Sequence, residues 1–175
     1  VGKTTTTINV AYNLAKEGKR VLLVDLDPQG NATSGLSVSK SSSTTRDVLS
    51  KKVELSKAVQ KTAYKNLAVL PTDAELATLE TEIATAKDRA IRLKQVLVDA
   101  QYDVVLIDCP PSLGLLTVNA LTAANSVIIP VQTEYYALEG LGQLLETMKL
   151  VRQALNPRLA ILGVVMTMHN ARTTL

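Results

Sequence analysis

Three short stretches carry the residue types that handle phosphate and divalent cations. Gly2-Lys3-Thr4-Thr5 opens a segment with Ile8, Ala11, Leu14 and Ala15 at helical spacing. A glycine-bearing turn entering a helix holds phosphate through backbone N–H groups and the helix dipole. A Lys there reaches the outer phosphates and a Thr hydroxyl meets Mg2+. Only the second half of the G-x-x-x-x-G-K-[ST] pattern is present, and Gly-Lys-Thr alone is common by chance. The second stretch is Val21-Leu22-Leu23-Val24-Asp25-Leu26-Asp27-Pro28-Gln29-Gly30-Asn31, an aliphatic run ending in two carboxylates before a turn. Two acids one residue apart suit cation organisation and water positioning. On an extended chain they point to opposite sides, so different roles are expected. The third stretch is Tyr102-Asp103, then Val104 to Ile107, then Asp108-Cys109-Pro110-Pro111. An apolar strand ending in Asp is the Walker B form, whose acid holds Mg2+ directly or through water. The paired prolines give a stiff exit, suited to a segment that senses the terminal phosphate.

These residues need a scaffold that brings strand ends together. Continuous apolar runs at Val21–Val24, Leu67–Leu70, Val104–Ile107, Val127–Val131 and Ile161–Val165 read as strands covered on both faces. Helical candidates lie between them at Thr5–Lys16, Ala74–Thr85, Asp88–Ala100, Leu115–Ala124 and Leu141–Leu155. Such alternation predicts an α/β parallel sheet in three layers, with ligands bound at the carboxyl ends of the strands. The Ser/Thr-rich stretch Ser39–Thr45 is expected to be a loop.

Composition sets outer bounds. The 175 residues fit one domain, 46% are hydrophobic, and five Tyr without Phe or Trp make the expected core aliphatic. No apolar run approaches the ~18 residues of a membrane span, and no signal-peptide pattern appears. A single cysteine excludes an internal disulfide or a multi-cysteine metal site. Net charge is +3. Six basic residues from Arg46 to Lys65 read as a solvated helical face, with a nucleic-acid patch as the alternative.

At this point four blocks resemble a known family. Val1-Gly2-Lys3-Thr4-Thr5-Thr6-Thr7, Val24–Leu36 with its Asp-Pro-Gln-Gly-Asn-Ala-Thr core, Ile107–Leu116, and Pro130–Leu141 with Glu-Tyr-Tyr-Ala-Leu-Glu-Gly are similar to the ParA/Soj partitioning ATPases of the MinD/ParA group. The resemblance implies a P-loop domain of the deviant Walker A type. It also implies a cytoplasmic, nucleoid-associated ATPase that uses ATP and Mg2+ and dimerises on ATP. The dimer binds DNA without sequence preference, and a ParB/Spo0J-like partner releases it by stimulating hydrolysis. Carried over by motif, Lys3, Asp27 and Asp108 are catalytic. Val1, Gly2, Thr4, Thr5, Asp25 and Pro110 join Lys3 at the nucleotide, and Thr4, Asp108 and Asp25 serve the metal. The family's signature Lys would lie three residues before Val1, and the family continues past Leu175. The chain is therefore expected to be a fragment, with the first strand and the C-terminal part outside it.

Other residues receive quieter readings. Cys109 is expected to pack rather than react. His169 lies where the fold often frames adenine, with Met168, Asn170 and Arg172 as equal candidates. Tyr135 and Tyr136 are core or switch-adjacent, and Asn119 is polar packing near a dimer face. A MinD-like membrane-cycling ATPase, a nucleotide-latched adaptor and a small-molecule ligase or kinase on the same fold are the competing classes. An iron–sulfur relative would need two cluster cysteines per subunit, which the single Cys109 does not supply.

Overall fold

The computed structural model describes residues 2–38, 43–132 and 136–168. Val1, Tyr135, His169, Asn170 and Arg172, together with the Tyr136 side chain, lie outside the described residues.

The first helix, α1 (Lys3–Lys16), forms despite four consecutive β-branched threonines because Ala11 and Ala15 bury fully on one face. It stops at Gly18, whose φ of 89° closes the end with Gly18 N–H to the Ala15 carbonyl and Lys19 N–H to the Leu14 carbonyl. The strand β1 (Val21–Asp25) follows and is the centre of the molecule. Val21, Leu22, Leu23 and Val24 are all 0% exposed, each worth about 1.5–3 kcal/mol of burial. Their alternation defines the layers. Leu22 and Val24 join one apolar cluster with Leu70, Leu76, Leu79, Leu93 and Leu116, while Val21 and Leu23 join another with Ala11, Ala15 and Val69.

Three short helices follow: α2 (Asn31–Gly35), α3 (Thr45–Leu49) and α4 (Leu55–Ala58). The sequence reading missed α2 and gave α3 and α4 no bounds within the 46–65 stretch read as a helical face, and Thr45, placed in a loop, begins α3 behind a capping box of Thr44 and Asp47. Strand β2 (Gln60–Lys61) also went unread and pairs antiparallel with β3 (Leu67–Leu70). The helix expected over 74–85 is a 3-10 turn (Ala74–Thr78) joined to α5 (Leu79–Glu82), and the one expected over 88–100 contracts to α6 (Arg92–Leu97). β4 (Val104–Asp108), α7 (Leu115–Ala123), β5 (Ser126–Gln132), α8 (Tyr136–Ala154) and β6 (Ala160–Thr167) complete the chain.

The strands form a four-stranded sheet in the order β2-β3-β1-β4 and a separate parallel pair β5-β6. β1 runs parallel to β3 and β4, as expected, with Asp25 in register beside Asp108. α1 packs on both β4 and β5 and so ties the pair to the main sheet. β6 is the exposed member: Leu162 is 69% and Met166 62% accessible. Among the described residues, no helix is long and apolar enough to cross a membrane.

Of the basic residues between 46 and 65, Arg46 pairs with Glu75 and Glu82, Lys51 with Asp88, Lys52 with Glu82 and Lys57 with Glu54. Most of that positive charge therefore meets acids of its own surface, in keeping with a solvated face.

Candidate functional site: a phosphate and cation cleft at the strand ends

The site assembles where α1 begins and where β1 and β4 end. Gly2 is the N-cap of α1 with φ 83°, and no side chain caps that start. A Cβ on Gly2 would lie 2.9 Å from Cγ2 of Thr167 at the end of β6, so close approach as well as φ selects glycine. The first helical bond is Thr6 N–H to the Gly2 carbonyl, which leaves the amides of Lys3, Thr4 and Thr5 without intrahelical acceptors. These residues line a cleft of about 280 Å³ together with Asp27, Gln29 and Pro111.

Behind the cleft, Thr4 Oγ1 donates to Asp108 Oδ2 at 2.7 Å, and Thr7 Oγ1 lies 3.3 Å from Asp108 Oδ1. Asp108 is 1% exposed. Burial pushes its carboxyl above the ordinary range, while the Thr4 bond and the neighbouring Asp25 act in opposite, smaller senses.

The two acids at the end of β1 sit differently. Asp25 is wholly buried and accepts from Thr33 N–H (2.8 Å) and Thr33 Oγ1 (2.7 Å) at Oδ2, and from Asp27 N–H (3.2 Å) at Oδ1. The Thr33 hydroxyl in turn accepts from Thr72 N–H at 3.0 Å, which ties the loop to the end of β3. Asp25 thus organises the turn that presents Asp27. Desolvation raises its pKa, and the Thr33 bonds pull partly back. Asp27 reaches the cleft wall, with Oδ1 held by Gln29 N–H at 3.0 Å. Thr45 braces the same strand ends from α3: its hydroxyl lies 3.0 Å from both the Asp25 and Pro71 carbonyls.

One expected residue sits differently, while Cys109 and Asn119 pack as expected. Pro110 is buried, and it is Pro111 that lines the cleft, because the chain turns outward one residue later than expected. Cys109 packs against the main core cluster. Burial, with Asp108 beside it, pushes its thiol up to about 12, so no thiolate nucleophile is available at neutral pH. Asn119 is 2% exposed and joins helices: its Oδ1 accepts from Leu93 N–H, and its Nδ2 donates to the Arg89 and Leu115 carbonyls. Sequence reasoning missed Gln29, Thr7, Thr33, Thr45 and Thr72. Their part depends on which hydroxyls and amides the fold brings to the buried carboxylates.

The donor set fits a polyphosphate and a hard divalent cation. Free first-turn amides and the Lys3 ammonium suit phosphate oxygens, and a Thr hydroxyl backed by a buried carboxylate suits Mg2+. Two adjacent buried carboxylates held above their usual range are relieved by a nearby cation. Fold and cleft together define a P-loop nucleotide-binding domain. A family model described as an AAA domain matches residues 1–161. Over 179 residues the chain is 53% identical to the sporulation initiation inhibitor protein Soj of Bacillus subtilis (strain 168), spanning 100% of this chain and 71% of that protein. It is 48% identical to the chromosome partitioning protein ParA of Caulobacter vibrioides, spanning 100% and 68%. The crystal structure of cobyrinic acid a,c-diamide synthase from Mycobacterium smegmatis, with bound ADP and magnesium, superposes with a TM-score of 0.93 at 44% identity, covering 99% of this chain and 72% of that one. The chain belongs to the ParA/Soj family of partitioning ATPases.

Proposed function

We propose that this chain is the nucleotide-hydrolysing part of an ATP-dependent DNA-partitioning protein, and that ATP closes a homodimer able to bind DNA without sequence preference. A ParB/Spo0J-like partner then stimulates hydrolysis and releases the DNA. The protein works in the cytoplasm on the nucleoid and needs no membrane.

The observation that carries the reading is the convergence of Lys3, the Thr4–Asp108 pair and Asp27 on one cleft. Mg2+ would be held by the Thr4 hydroxyl with Asp108 behind it, and would offset the charge of the phosphates. Lys3 neutralises the outer phosphates, and the amides of Gly2, Thr4 and Thr5 hold their oxygens. Asp108 accepts the Thr4 hydroxyl proton and so would leave that oxygen's lone pairs free for a cation. Asp25 keeps the 26–33 turn closed and serves the metal shell through the site's charge. Asp27, with Oδ1 occupied by the Gln29 amide, keeps Oδ2 for the attacking water. Phosphoryl transfer needs mostly positioning and charge stabilisation, so this set is sufficient.

A ligase reading draws support from the likeness to the Mycobacterium smegmatis diamide synthase. It requires an acceptor site beside the terminal phosphate, and the cleft's lining supplies phosphate and cation ligands instead. The deciding experiment is DNA binding with and without ATP, wild type beside Asp27→Ala. ATP-dependent binding that persists in the variant, with turnover lost, supports the partitioning switch. ATP binding without DNA affinity sinks it, and ATP-dependent amide formation on an acid substrate would establish the ligase.

A further inference from the structure

The segment 109–114 leaves β4 at Asp108, passes the cleft at Pro111 and enters α7 at Leu115. Its upstream end is fixed by β4 and by Asp108's bond to Thr4. Its downstream end is held by a residue that no catalytic motif contains. Glu80, on α5, accepts the Leu116 N–H on Oε1 at 3.1 Å, in the first turn of a helix that no residue of its own caps. Within the same turn, Thr117 Oγ1 donates to the Ser112 carbonyl at 2.6 Å.

The fit around Glu80 is close. A Cβ on Gly114 would stand 2.7 Å from Glu80 Oε1 and 3.2 Å from Oε2. Gly114 has φ −80° and ψ −164°, extended backbone open to any residue, so the approach of Glu80 is what glycine accommodates there. Glu80 itself stands on a rigid base: Leu76 (0%), Leu79 (1%) and Ile83 (5%) bury α5 and its preceding turn in the cluster that contains Leu116 and Ala120. No cation pairs with Glu80 among the described residues, whereas Glu82 beside it is occupied by Arg46 and Lys52. A carboxylate at a helix start is favoured by the dipole and the free amides there.

We propose that Glu80 is a positioning residue for hydrolysis: it anchors the α7 start and so sets where the 109–114 segment holds Pro111 against the cleft. This rests on the ATPase reading above. Loss of the anchor frees the segment's far end while Lys3, Thr4, Asp27 and Asp108 stay in place. Binding of nucleotide then survives, and the step that needs a fixed cleft wall suffers.

The test compares Glu80→Ala, Glu80→Gln and Gly114→Ala with wild type in three readouts: turnover, affinity for a fluorescent ATP analogue, and amide hydrogen exchange of 109–118. Glu80→Ala is expected to lower kcat tenfold or more with analogue affinity within twofold, and to speed exchange at Leu116. Glu80→Gln keeps the acceptor oxygen and is expected to restore most of both. Gly114→Ala should reproduce the Glu80→Ala phenotype by pushing the flexible carboxylate aside, and adding it to Glu80→Ala should cost little more. A core variant in the separate cluster under α8, Val151→Ala, controls for general loosening. Unchanged kcat in Glu80→Ala, or an equal kcat loss in Val151→Ala, overturns the proposal. If the wild type shows no turnover the ATPase reading fails, and exchange at Leu116 alone still decides whether Glu80 anchors the helix.

Discussion

The hydroxyl of Thr4 donates to Oδ2 of Asp108 across 2.7 Å, joining the first turn of α1 to the last residue of β4. Neither residue marks a site by itself, but the bond makes them one unit for a cation. Asp108→Asn keeps the shape and removes the charge. Turnover is expected to fall about a hundredfold, the scale of one lost electrostatic stabiliser, and to need higher Mg2+. A Mg2+ titration of hydrolysis checks this, and wild-type behaviour would detach Asp108 from the metal.

The Asp25–Thr33–Thr72 chain predicts a split between stability and chemistry. Thr33→Val leaves buried Asp25 without its hydroxyl donor and should cost about 1–3 kcal/mol in urea unfolding. Asp27→Ala, at the cleft wall, should abolish turnover while unfolding at nearly the same urea concentration. Equal stability loss in both variants would contradict the division of labour between the two acids.

Gly2 combines a φ of 83° with a 2.9 Å limit against Thr167. Gly2→Ala is therefore expected to weaken nucleotide binding at least tenfold, with a stability cost of about 1 kcal/mol. Titration with a fluorescent ATP analogue measures the first effect and thermal unfolding the second. Undiminished affinity would mean that the turn is less constrained than its geometry implies.

Acid stability should depend on the far end of the sheet. Asp103 accepts the Arg20 guanidinium at 2.7 Å, and that hydrogen bond, with the Arg20 amide, lowers its pKa to about 2. A folded-state value below the ordinary carboxylate range of about 3.9 gives stability that is present above pH 4. It is lost as pH falls from about 4 through about 2. Arg20→Ala should be less stable than wild type at pH 6, with the two unfolding curves converging near pH 2. A gap that persists at pH 2 would point to packing instead.

The strands were legible because their aliphatic runs are unbroken, and strand ends rich in acids were therefore legible as a site. Lys3, Thr4, Asp27 and Gly2 stand in the cleft where local motif chemistry put them. What sequence could not show was set by tertiary partners. The helix expected over 88–100 shortens to Arg92–Leu97, where packing of Leu93 rather than periodicity fixes its extent. α3 hides in a polar run because its capping box and Thr45 bonds do the holding. Pro110 and Pro111 exchange places because only the fold tells which of two adjacent prolines faces out. Glu80 carried no signal at all, lying 36 residues from the amide it accepts.

Strand β6 has a consequence for handling the molecule. Ile161, Leu162, Val164, Val165 and Met166 are each at least 40% accessible, on both faces of a strand that, among the described residues, pairs in its sheet with β5 only. Ala160–Thr167 contains neither charge nor proline, the usual devices by which a sheet margin refuses a neighbour. Wherever this ribbon is left uncovered, it is expected to template self-association. Stickiness should rise steeply with concentration and sulfate, and light scattering of Val164→Lys against wild type would locate it on this strand.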